Sequence, residues 1–164
     1  MTSVAQQTPA QAIQDLRVAL ASVDSTATAD RVLRAQAGAL MRALGRLPVA
    51  ILVANNHARY VEANRAATLL TGYSRHELLE RSVWDITPPS LRSDGRRQWD
   101  AFLKRGELSG RYTLKPKAGR MIRASFFAAA NVLPGLHVSA LTTASLIARL
   151  RPRAKRARTA RRST

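Results

Sequence analysis

Cysteine is absent from this 164-residue chain, which excludes disulfides, thiolate zinc sites, cysteine nucleophiles and haem attached through cysteine. Acidic residues are scarce: 10 Asp and Glu stand against 27 Lys and Arg, a formal net charge of +17. Carboxylates so thinly scattered offer no acidic metal cage. The three histidines, His57, His76 and His137, have no spacing that would place two on one metal ion. No nucleophile elbow, phosphate loop or dinucleotide fingerprint occurs, and an enzyme is not expected. No stretch approaches the roughly 20 apolar residues of a membrane-crossing helix. Residues Met1 to Gln7 lack the basic-then-apolar pattern of a secretory leader. A soluble, cytoplasmic protein with no membrane partner is the expectation.

What is present suits one domain with extensions. Hydrophobic residues make up 46% of the chain, too many for a wholly disordered protein. The charge is unevenly placed. Residues 1–44 nearly balance Arg17, Arg31, Arg34 and Arg42 against Asp15, Asp24 and Asp30, whereas the last sixteen residues carry eight bases and no acid.

Thr8 can cap a helix with Pro9 at its first position and Gln11 reaching back. Ile13, Leu16, Leu20 and Val23 recur at helical spacing, as do Leu33, Ala37, Leu40 and Leu44 beyond a polar break at residues 25–30. Each stripe needs a cover, which is either the chain's own sheet or a second molecule. Gly45 and Pro48 then mark a boundary. Val49 to Ala54 reads as a buried strand, Asn55-Asn56-His57 as a hairpin turn in which Asn tolerates left-handed geometry, and Arg59 to Ala63 as the partner strand. Helical pieces follow at Asn64–Leu70 and Arg75–Arg81, and a longer helix spans Leu91–Arg105 with Trp99, Phe102 and Leu103 on one face. Three strands come next: Gly110–Lys115, Arg120–Ala129 and Leu136–Thr142. Turns at Lys117-Ala118-Gly119 and Leu133-Pro134-Gly135 separate them.

The most telling segment is Ala63-Asn64-Arg65-Ala66-Ala67, followed by Thr71-Gly72-Tyr73, His76-Glu77-Leu78-Leu79 and Trp84-Asp85. Asn64 can cap the helix that starts there, and Gly72 can stop it. This order, with the later Gly106-Glu107 and three strands, resembles the PAS superfamily of sensor and signalling domains over roughly residues 46 to 143. The resemblance implies an α+β fold: a five-stranded antiparallel sheet with short helices on one face, preceded by N-terminal helices. The chain then divides into a disordered start (1–7), a helical extension and candidate dimerisation cap (8–45), the PAS domain (46–143), and a short helix with a basic disordered tail (144–164). Three positions depart from the family pattern. Ala140-Leu141-Thr142 stands where Asp-Ile-Thr is frequent, Glu80 where Gly follows Glu-Leu-Leu, and Ala118 where Asp precedes Gly in the sheet turn. They weigh against ordinary signal relay to a downstream effector. Ser74-Arg75-His76-Glu77-Leu78 imitates the phosphoacceptor box of histidine kinases, but no Thr-Pro follows and no nucleotide-binding domain is encoded.

The resemblance also locates a candidate pocket between helices and sheet, lined by Leu69, Trp99, Phe102, Ile122, Phe126 and Val138. The same residues describe a filled core equally well, and the filled core is favoured; no cofactor is predicted. Flavin bound through cysteine is excluded, and haem is disfavoured because the longer helix offers Arg96, Arg97, Gln98 and Trp99 in place of a histidine. Noncovalent flavin or a small metabolite is compatible with an apolar pocket. The implied role is a stand-alone PAS module acting by protein–protein contact, as a homodimer or with another signalling protein, in signal transduction or transcription regulation. A ligand or flavin sensor of the same fold is the first alternative. The second is a nucleic-acid-associated regulator using Arg151, Arg153, Lys155, Arg156, Arg158, Arg161 and Arg162, whose phosphate contacts would be weak and nonspecific.

Overall fold

A computed structural model of the chain describes residues 30–151 together with Ile13, Gln14 and Val18. The helix expected over residues 8–23 and the tail beyond Arg151 otherwise lie outside the described residues. Helix α1 spans Asp30–Leu44, and strands β1 (Ala50–Asn55) and β2 (Tyr60–Ala63) follow. Helices α2 (Arg65–Thr71), α3 (Arg75–Leu79) and α4 (Arg92–Arg105) come next, with single 3-10 turns at Val83–Asp85 and Pro89–Leu91 between the last two. Strands β3 (Glu107–Leu114), β4 (Ile122–Leu133) and β5 (Leu136–Thr142) and helix α5 (Ala144–Leu150) complete the fold. The five strands form one sheet in the order β2-β1-β5-β4-β3, with every neighbouring pair antiparallel.

Local chemistry explains how each helix begins. Asn64 is the cap of α2, where its Oδ1 accepts from the Ala67 N–H at 2.9 Å. The same oxygen accepts from the Ile51 N–H at 2.9 Å, and Nδ2 donates to the Val49 carbonyl at 2.9 Å, so one buried amide ties the helix to β1. Gly72 ends α2 at φ 75°, left-handed geometry that glycine enters without strain. Ser74 and Glu77 exchange bonds in a capping box at the start of α3. Glu77 also meets the Lys117 ammonium at 2.6 Å, and the Lys117 and Ser74 hydrogen bonds hold its carboxyl at about 2. The Ser-x-x-Glu spacing that imitates a phosphoacceptor box is therefore a helix cap, and His76 beside it is exposed.

Both sheet faces carry core. Ala50, Leu52 and Ala54 of β1 face the helices α2 to α4, while Val49, Ile51 and Val53 face the other way. That second layer is covered by α1, whose Ala37, Leu40 and Leu44 are buried against Val138 and Ala140 as well, with Ile13 in the same cluster. The stripe on Leu33, Ala37, Leu40 and Leu44 thus finds its cover on the chain's own sheet. The cover stops short of β3: on the outer face of the β3–β4 ladder Ser109, Arg111, Arg123 and Ser125 are exposed.

Two turns differ from their sequence reading. In the β1–β2 hairpin the left-handed residue is Ala58 (φ 58°), not an asparagine. Asn55 instead serves through its side chain, accepting from the His57 and Arg59 N–H groups. Strand β4 runs past Ala129 to Leu133 because a bulge at left-handed Asn131 (φ 48°) absorbs the extra residues.

Candidate functional site

A cavity of about 80 Å³ lies between α4 and the inner face of the sheet. Trp99 and Phe102 of α4 form one wall, their rings 5.6 Å apart, and Phe126 and Ala128 of β4 form the facing one. Tyr60, Tyr112, Gln98 and Ser139 bring the polar groups. No Asp, Glu, Lys, Arg or His lines the space. Trp84 and Trp99, packed edge to face at 6.1 Å, line the cavity on one side and a surface groove with Asn56, Arg96 and Asp100 on the other. Gly95 permits this: a Cβ there would lie 3.3 Å from the Trp84 ring.

The polar end has a defined hydrogen-bond direction. Thr87 Oγ1 donates to the Val83 carbonyl at 2.7 Å, so in its short bond with Tyr112 it must accept the phenol proton. Tyr60 is 5% exposed, and its hydroxyl bonds to none of the described residues; it opens onto the cavity, whereas the one sealed and unpaired side-chain atom among the described residues is Thr142 Oγ1. Burial, with Tyr112 and Asp85 nearby, raises the Tyr60 pKa well above its ordinary value, and burial raises Tyr112 as well. Both phenols stay protonated, and the Tyr60 O–H is a donor without an acceptor among the described residues.

Behind the aromatic wall, His137 is buried against the Trp99 and Phe102 rings at 5.5 and 6.0 Å. Its Nδ1 accepts from the Asn131 N–H at 3.0 Å. The proton therefore sits on Nε2, which donates to Asn56 Oδ1 at 2.9 Å. Burial lowers the His137 pKa and keeps the ring neutral. This histidine is a satisfied core residue. Among the described residues no group of His, Asp or Glu could hold a metal ion, and no helix is long and apolar enough to cross a membrane.

Of the six pocket residues expected from sequence, Trp99, Phe102 and Phe126 line the cavity. Leu69 and Ile122 pack against the same apolar cluster without reaching the space. Val138 requires correction: it lies on the opposite face, in the cluster under α1. Ladder register is the cause. Ala128 pairs with Ser139 and Phe126 with Leu141, so Ser139 and Leu141 share the cavity face and Val138, opposite Ala129, does not. Tyr60, Trp84, Gln98, Tyr112 and Ser139 also line the cavity and are not among the residues that the sequence points to. Of the basic tail residues, Arg151 is exposed at the edge of the described region. Arg153, Lys155, Arg156, Arg158, Arg161 and Arg162 lie outside it.

Residues 44–131 match the family model described as the PAS fold. Among solved structures, a PAS domain from Colwellia psychrerythraea is 16% identical with a TM-score of 0.56, covering 68% of this chain and 95% of that one. A domain of a sensory box sensor histidine kinase/response regulator from Geobacter sulfurreducens is 19% identical with a TM-score of 0.55, covering 71% and 100%. The PAS domain of a LuxR-family transcriptional regulator from Burkholderia thailandensis, solved in complex with ethanol, is 16% identical with a TM-score of 0.51, covering 60% and 90%. No curated protein matches the chain.

Proposed function

The chain belongs to the PAS fold family, and from that premise we propose that it is a regulatory sensor module: a small neutral molecule held in the cavity is its input, and contact with another protein is its output. The observation that carries the reading is the Tyr60 side chain, buried at a mostly apolar space that it shares with Tyr112, Gln98 and Ser139, with its hydroxyl free of any bond among the described residues. A hydroxyl that faces such a space is a free donor, and a ligand oxygen placed there accepts from it in surroundings of low polarity, where a hydrogen bond is stronger than in water. The absence of lining charge favours a neutral ligand over an anion or cation. Size narrows the choice further. A cavity of about 150 Å³ holds one benzene, so this one, at about 80 Å³, suits a short alcohol, ketone or amide and is too small for the three fused rings of a flavin. The ethanol complex of the Burkholderia thailandensis domain is an instance of that ligand scale in the same fold.

Native mass spectrometry of the purified chain, with thermal melts in 1-butanol and 2-butanone, tests this. Saturable stabilisation by either compound that disappears in Tyr60→Phe is the expected result. A chain that carries no ligand and melts identically with and without both compounds would refute it.

A further inference from the structure

We propose that the uncovered outer face of the β3–β4 ladder is a binding surface for the phosphodiester backbone of duplex nucleic acid. The sheet register puts the cations there together. Arg111 pairs with Ser125 and Thr113 with Arg123, so the two arginines are diagonal neighbours on one face, about 7–8 Å apart in such a ladder. Lys115 and Arg120, both exposed, flank the β3–β4 turn at the same end. The Ser125–Thr142 pairing brings the end of β5 to this pole as well; Arg149, further along, turns to the helix side of the sheet, where it donates to the Leu69 carbonyl at 2.9 Å.

None of Arg111, Lys115, Arg120 or Arg123 has an ion pair among the described residues. Of the acids, Glu77 pairs with Lys117, Asp94 with Arg97 and, at the far sheet edge, Glu62 with Arg75, while Glu107 stands on this same outer face four residues before Arg111. No acidic residue follows Glu107, while thirteen Lys and Arg do. Like charges held this close repel, and a polyanion relieves the repulsion while releasing its own counterions.

The occupant follows from what surrounds the cations. Ser109, Thr113 and Ser125 are small and polar, and Met121 is the one large apolar side chain exposed at this pole. A protein interface draws its affinity from buried aromatic anchors, and no aromatic ring is exposed here. Single strands need such rings for stacking, which leaves the duplex backbone. The guanidinium fork suits phosphate oxygens.

Fluorescence anisotropy of the full chain with short labelled DNA and RNA duplexes, titrated between about 50 and 200 mM salt, tests the surface. Arg111→Gln with Arg123→Gln is expected to weaken binding roughly tenfold at the low-salt end and to reduce the log–log salt slope by about 1.8, two phosphate contacts at about 0.9 each. Both residues are exposed and unpaired, so an unchanged melting temperature verifies folding. Either duplex giving this result supports the proposal. Three results would overturn it: no change in the double variant, an equal loss from Arg42→Gln with Arg65→Gln near the opposite sheet edge, or displacement of the duplex by polyglutamate at equal charge. The last would assign the pole to an acidic protein. None of these results bears on the cavity, whose ligand is read separately by mass and melting.

Discussion

The Asn64 carboxamide closes the gap between β1 and α2 with three bonds, to the Ile51 and Ala67 N–H groups and the Val49 carbonyl. Replacing it with Ala removes a helix cap worth about 1 kcal/mol. It also leaves the Ile51 donor and Val49 acceptor buried and unpaired, at roughly 1–3 kcal/mol each. Asn64→Ala is expected to lose about 3 kcal/mol or more in urea denaturation. A loss below about 1 kcal/mol would mean the two strand groups find other partners. His137 gives a pH-dependent expectation. Its folded pKa lies below 6.5 because burial penalises the charged ring, so the unfolded chain binds the proton more readily. The stability from its neutral form is complete above pH 6.5 and declines as pH falls toward the folded value. Melts across that window are expected to show a fall that His137→Gln lacks; equal slopes in both proteins would exclude His137 as its source.

Among the elements, β1, β2, α2, α4 and β5 lie within a few residues of where periodicity and cap residues put them. These signals are local, since Asn64, Gly72 and Ser74 act within one helical turn of themselves. Cavity membership is different, because it depends on which residue of β5 stands opposite which residue of β4. That register is set by the bulge at Asn131 and the turn at Pro134-Gly135. A strand buried on both faces has no polar side to mark its orientation, and β5 is such a strand: Leu136, His137 and Val138 are all buried in succession. Sequence reasoning therefore found the aromatic wall on α4 but misplaced Val138 and missed Ser139. Ser139→Leu is expected to fill the cavity and abolish any melting response to 1-butanol or 2-butanone, at an overpacking cost of about 1–3 kcal/mol. Val138→Ala should lower stability by about 2 kcal/mol and leave the response intact. The opposite pattern would place the register one residue out.

At the scale of the molecule, the sheet is sandwiched, and that decides which surfaces remain for partners. Val49, Ile51, Val53, Val138 and Ala140 make an apolar outer face that α1 seals with Leu40 and Leu44. Self-association through the α1 stripe would have to break this seal first. The seal has a size: removing a buried leucine side chain costs about 2–5 kcal/mol, so α1 docking is a substantial share of a fold stable by about 5–15 kcal/mol. Leu40→Asp puts a carboxylate into that apolar layer and must either undock the helix or unfold the chain. The inner core around Leu52, Leu78 and Leu141 is separate from it, so undocking is the expected outcome. The freed apolar face should then drive concentration-dependent association in light scattering, while near-ultraviolet circular dichroism of the Trp84–Trp99 pair stays native. If Leu40→Asp remains folded at the same association state as the parent chain, α1 does not shield the sheet, and the outer face is open to partners without any helix movement.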